Sequence, residues 1–191
     1  MNLKVAETRY PIHDLIRNRW SARSFAPDPI TPEKMNQLFE AASWAFSSMN
    51  DQPWRYYYAF KGEKAFDDML DCLLPSNAIW AQHAAVLILS GAVTRFANGN
   101  ENRYAAHDVG AANTNLLLEA TAENIYGHVL GGYDPDKTAA LFPLHEGEIH
   151  LAFIALGYQG NPEDLSEPFK TREISKRSRK ELKDFAFHYS K

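Results

Sequence analysis

Arginine recurs in two short clusters at opposite ends of this chain, Arg19-Trp20-Ser21-Ala22-Arg23 near the start and Arg177-Ser178-Arg179 near the finish. A guanidinium is a rigid charged fork that matches phosphate oxygens, so arginines gathered from distant segments suit one dianionic ligand better than they suit each other. Between the clusters lies Ser47-Ser48-Met49-Asn50-Asp51-Gln52-Pro53-Trp54, where small hydroxyl and amide donors immediately precede an aromatic run. Together the three segments point to a site for a phosphate-bearing cofactor. Each has a plainer reading when taken alone. Arginines at a helix end complement its dipole, Lys170 to Lys183 reads as a solvated basic face, and the serine-rich stretch reads as a polar helix-to-strand loop.

Other catalytic chemistry has less support. His145, Glu146, Glu148 and His150 are close in sequence, but strand alternation places Glu148 and His150 on one face and leaves His145 in a turn, so no metal site is expected. The chain has no Gly-x-Ser-x-Gly elbow, no Walker loop and no Gly-x-Gly-x-x-Gly fingerprint. A nicotinamide, if used, is then a passing substrate. His128 lies in an apolar stretch, where a histidine is more often packed and hydrogen-bonded than catalytic. No side chain is assigned a catalytic role.

The elements that must position these residues belong to an ordinary globular chain. Its 191 residues, 45% hydrophobic and 23% charged, can bury one full core, so residues 1–191 read as a single domain. A net charge of -4 gives no general attraction to nucleic acid. Cys72 is the only cysteine, which excludes an intramolecular disulfide and fits a reducing compartment. Met1 to Tyr10 lacks an apolar signal core, and no run approaches the roughly 20 apolar residues that span a bilayer. A soluble cytoplasmic protein without a membrane partner is expected.

Pro11 to Arg19 reads as a first helix that ends at Arg19. Thr31-Pro32-Glu33 is an N-cap followed by proline at the first helical position, and Met35, Leu38, Phe39 and Ala42 give that helix one apolar face. Trp54 to Phe60, Ala85 to Ser90 and Ile149 to Leu156 read as strands, the last two apolar enough to be covered on both faces. Phe66 to Leu73 reads as a helix, Tyr104 to Tyr126 as one long buried helix, and Asp134-Pro135 as the start of a short one. Gly127 to Tyr133 is expected as a loop and Phe185 to Tyr189 as a lone strand. These elements indicate an α+β or mixed α/β layered domain.

From about Ile12 to Phe187 the chain resembles the nitroreductase-like FMN-dependent oxidoreductase family, through its Arg-x-Ser-x-Arg element, its Ser-Ser-x-Asn-x-Gln-Pro-Trp element and its basic tail. The resemblance implies a three-layer α/β/α sandwich around a mixed, mainly antiparallel sheet, with a C-terminal strand that can add to the partner subunit. It implies non-covalent FMN at the interface of a homodimer. Arg19, Trp20, Ser21, Arg177 and Arg179 would surround the phosphate and ribityl chain, with Arg23 and Asn77 at the pyrimidine edge of the ring. Leu130, Gly131 and Gly132 would lie along the ring with a backbone N–H toward it, while Ser47, Ser48 and Asn50 would reach the neighbouring subunit's flavin. Asp108 and Gly110 would belong to the dimer core. Phe46 stands where a proline is usual, and Gly131 stands where some relatives place glutamate. The implied activity is ping-pong transfer from NAD(P)H to a small oxidant such as a nitroaromatic or a quinone; a non-catalytic FMN-binding protein would use the same anchors.

Overall fold

The structure is a computed structural model that describes residues 4–190. It contains helices α1 (Asp14–Asn18), α2 (Pro32–Ser43), α3 (Lys64–Asp71), α4 (Pro75–Ala81), α5 (Ala105–Ala122), α6 (Pro135–Leu141) and α7 (Phe169–Ile174). They surround one sheet of β1 (Trp54–Phe60), β2 (Val86–Val93), β3 (Ile125–Leu130) and β4 (Glu148–Tyr158), in the spatial order β1-β2-β4-β3. No helix among the described residues is long and apolar enough to cross a membrane.

Strand alternation builds the layers, because successive side chains leave a sheet on opposite faces. Leu87 and Leu89 of β2, with Phe153 and Ala155 of β4, face a core completed by Phe66 and Met69 of α3 and Trp80 of α4. Their neighbours Val86, Ile88, Ile154 and Leu156 face the opposite core, filled by Met35 and Leu38 of α2 and by Leu116, Leu117 and Ala120 of α5. The result is the expected three-layer α/β/α sandwich. Thr31 caps α2 by accepting the Lys34 N–H at 3.2 Å, and Asp134 caps α6 by accepting the N–H groups of Asp136 and Lys137, each at 3.0 Å.

Several expectations need correction. Every adjacent strand pair is antiparallel, so the sheet is not mixed. The crossover from β2 through α5 to β3 does leave those two strands pointing the same way, but β4 is inserted between them. The long helix stops at Ala122 instead of Tyr126: Asn124 takes a left-handed φ of 58° and turns the chain into β3, which occupies most of the expected loop. Asn77 sits within a helix, since Pro75 occupies the first turn of α4. Residues 185–189 form no strand and pair with none of their own sheet. A strand needs partners for its N–H and C=O groups, and Phe187 and Tyr189 remain 80% and 83% exposed.

Candidate functional site

Arg19 closes α1 with extended backbone, φ -62° and ψ 124°, and residues 20–24 after it belong to no helix or strand. Trp20, Ala22 and Ser24 are buried, while Arg19, Ser21 and Arg23 are half-buried. Burial thus alternates along the segment, leaving the three ligand-type side chains partly accessible and enclosing the even-numbered ones. Trp20 is the exception to its predicted role, because its ring packs edge-on to Tyr126 at 6.0 Å inside the core. Only its backbone remains for a ligand. The segment is fixed beside the sheet's end by bonds from Ala26 N–H to the Tyr158 carbonyl at 2.9 Å and from Gly160 N–H to the Ser24 carbonyl at 3.0 Å. Gly160 makes this approach possible, since a Cβ there would stand 2.6 Å from the Phe25 carbonyl carbon.

The far end of the chain closes on the same place. Arg19, Arg177 and Arg179 line one concavity of about 210 Å³, walled by Ala6 to Thr8 and by Ile12 and Ile16. Burial lowers the pKa of Arg19, and the charge of Arg179 adds to it; Arg177 is lowered by burial and then by Arg19 and Arg179. Like charges have thus been brought together, and among the described residues none of the three forms an ion pair. Glu7 reaches the concavity but is paired with Lys176. Such a site attracts an anion. Arg177 is partly committed already, because its Nη1 donates to the carbonyls of Lys4 and Arg17, each at 2.9 Å.

A second group lies along α4 and the end of β3. Asn77 and Trp80 are one turn apart and so share a helix face. Asn77 Nδ2 donates to the Gly132 carbonyl at 3.0 Å, and a Cβ on Gly132 would sit 2.6 Å from that nitrogen. The Arg23 guanidinium lies 5.8 Å from the Trp80 ring centre, and the His128 ring lies against the same indole at 4.7 Å, tilted by 37°. Burial holds the His128 pKa down to about 4, with the charges of Arg23 and Arg19 acting the same way. The neutral ring therefore donates its Nδ1–H to the Ala22 carbonyl at 3.1 Å. Both guanidiniums act on one histidine, which links this group to the arginine concavity. Leu130 is buried in the core, so its predicted contribution is restricted to backbone, while Gly131 is exposed with open space where a Cβ would stand.

Ser47, Ser48 and Asn50 lie elsewhere, at the start of α5, and none of them lines the arginine concavity. Asp108, buried at the opening of α5, accepts the Ser48 N–H at 2.9 Å, and Ser47 Oγ accepts the Gln52 N–H at 3.1 Å. Met49, Asn50 and Gln52 all hold left-handed φ values of 56°, 55° and 52°. Backbone strain of this kind gathers where a loop must present itself in one shape. Asp108 and a buried carboxylate in α7, Glu173, were invisible as positioning groups in the sequence: an aspartate opening a helix and a glutamate in a basic run carry no distinguishing signal.

Comparison with known proteins decides the family. Residues 16–158 match the model of the nitroreductase family. The chain belongs to that family. Nitroreductase NfnB of Mycolicibacterium smegmatis is 27% identical over 192 residues, covering 92% of this nitroreductase-family chain and 81% of its own length. Nitrobenzene nitroreductase of Ectopseudomonas oleovorans matches locally, with 46% identity over 46 residues, 24% of this chain and 20% of its own. An oxidoreductase solved with FMN superposes with a TM-score of 0.89 at 29% identity, covering 95% of this chain and 93% of its own. A nitroreductase from Desulfovibrio desulfuricans in complex with FMN shares the fold, with a TM-score of 0.73 at 24% identity over 96% of this chain and 99% of its own. This chain is accordingly a nitroreductase-family enzyme.

Proposed function

We propose that the protein is an FMN-dependent oxidoreductase that takes reducing equivalents from NADH or NADPH and delivers them, in ping-pong order, to a nitroaromatic, quinone or related small acceptor. The observation that carries this reading is the convergence of Arg19, Arg177 and Arg179 in one concavity without carboxylate partners. The donor set fits FMN. Arg19, Ser21, Arg179 and the uncommitted part of Arg177 would hold its phosphate, Arg23 and Asn77 would meet the polar edge of its ring, and the open space at Gly131 would let backbone approach the ring face. Ser47, Ser48 and Asn50, which do not line this concavity within one chain, would complete the partner's site in a homodimer.

Bound FMN supplies the hydride-transfer chemistry. The work of the chain's own residues is to bind, orient and polarise: a fixed guanidinium at position 23 stabilises negative charge as it develops beside it. His128 is neutral at pH 7 and its Nδ1–H is spent on the Ala22 carbonyl, which ties it to the segment that carries Arg23. Protons come from solvent.

The absorption spectrum of the purified protein is the first test, with flavin bands expected. Anaerobic NADH or NADPH should then bleach them quickly, and a nitroaromatic or quinone should restore them. Slow bleaching by both donors would favour a non-catalytic FMN-binding protein. A chain that stays colourless after soaking in FMN would refute the cofactor itself.

A further inference from the structure

We infer that Glu173 is the positioning residue that sets the direction in which Arg23 faces the ligand site. Glu173 lies in α7 and is completely buried. Its Oε1 accepts two successive backbone N–H groups, those of Arg23 and Ser24, each at 2.9 Å. Two bonds to one buried atom fix the two peptide units that flank the Arg23 Cα. Successive N–H groups of a regular strand point to opposite sides, so their convergence on one oxygen holds a local turn of the backbone at Arg23 and sets the direction in which its side chain leaves the segment. The same short helix ends at Ile174, shortly before Arg177 and Arg179, so Glu173 holds one basic cluster from the element that precedes the other.

Charge alone gives Glu173 the opposite effect. A carboxylate beside an anion site repels the anion, and a buried one is expensive unless it is paired and hydrogen-bonded. Its Oε2 has no hydrogen-bond partner among the described residues. Nearby cations lessen the penalty: burial lowers the pKa of both Lys4 and Arg23, and Glu173 is the favourable charge acting against that in each. Geometry and charge therefore make opposite predictions for its removal.

The ligand in this inference rests on the FMN reading, and the test separates the two. FMN is titrated into cofactor-free wild type, Glu173→Ala and Glu173→Gln, with flavin fluorescence as the readout and a thermal melt confirming each fold. Losing both amide bonds should weaken FMN binding about tenfold or more in Glu173→Ala. The glutamine amide oxygen can still accept both bonds, so Glu173→Gln should bind within about threefold of wild type. Unchanged or tighter binding in Glu173→Ala, or equal weakening in both variants, overturns the inference. Amide hydrogen exchange on cofactor-free wild type gives an independent reading: Arg23 and Ser24 should be strongly protected, and rapid exchange at both overturns the inference even if Glu173→Ala does not fold. Failure of wild type to bind FMN overturns the cofactor reading instead, and amide exchange then decides the role of Glu173 by itself.

Discussion

Arg177 and Arg179 stand two residues apart yet do different work. Arg179 is exposed and donates only to the neighbouring Ser178 carbonyl at 2.7 Å, so its charge is available to a ligand. Arg177 ties Lys4 and Arg17 together through one Nη1 and offers only its remaining donors. A hydrogen bond to a charged group contributes about 1.5–3 kcal/mol, or roughly 10–100-fold in affinity. Arg179→Ala should therefore weaken FMN binding by that factor and leave riboflavin, which lacks the phosphate, unaffected. Arg177→Ala should weaken FMN similarly and also lower the melting temperature of the cofactor-free protein, an effect absent from Arg179→Ala in the same melts. His128 makes a second prediction. Its folded pKa is about 4 against an ordinary 6.5, so between those values the unfolded chain holds a proton that the folded chain does not. Its contribution is complete above about pH 6.5 and is lost as pH falls toward 4, on the order of 3 kcal/mol in all. Urea unfolding at pH 7.5 and 4.5 should show a smaller drop for His128→Gln than for wild type; an equal drop would mean that His128 titrates normally.

The loop before β1 shows how one element depends on another. The carboxylate of Asp108 takes the Ser48 N–H on one oxygen and contacts His107 Nδ1 at 3.0 Å on the other, anchoring the Ser47–Gln52 loop to α5. Asp108→Ala should cost about 1–3 kcal/mol by orphaning that amide, and limited proteolysis should cut within residues 47–52 sooner than in wild type. Unchanged cleavage would show that the left-handed residues hold the loop without help. Legibility in the sequence follows the same physics. β1, β2 and β4 could be read because their apolar or aromatic runs are bounded by turn residues, and α2 because Thr31 and Pro32 mark its start. β3 could not, because Ile125 and Tyr126 prolong an apolar helical run and only Asn124 signals the break. Within the site, residue type exposed the arginines, but the resemblance supplied positions without orientations. Trp20 and Leu130 were therefore counted among ligand contacts although the core claims both side chains. Glu173 was missed because its partners are backbone N–H groups some 150 residues away, which no local pattern encodes.

A single copy of the molecule presents a surface that a lone globular chain has little reason to keep. Trp44, Phe46 and Met49 are 79%, 67% and 87% exposed around the Ser47–Asn50 loop. Beside them the outward face of α5 carries Ala106, Gly110 and Thr114, small exposed residues at four-residue spacing that would let a second helix approach closely. The strained loop, the apolar rim and the small-residue helix face occur together, and the loop lines no part of its own chain's arginine concavity. All of this follows if two copies join through this face and each loop serves the other's cofactor, which would also place FMN at the seam. Light scattering should then report a dimer. Gly110→Arg is a clean disruption, because a side chain at that position meets nothing within 4 Å in its own subunit and would extend into the joint. The variant should elute as a folded monomer with unchanged secondary structure by circular dichroism. Its arginine concavity would be intact, yet FMN binding should fall by tenfold or more, since about two charge-free donor contacts from the partner would be missing. A Gly110→Arg monomer that binds FMN as tightly as wild type would show that Ser47, Ser48 and Asn50 belong to no cofactor site, and that one chain is sufficient to hold the flavin.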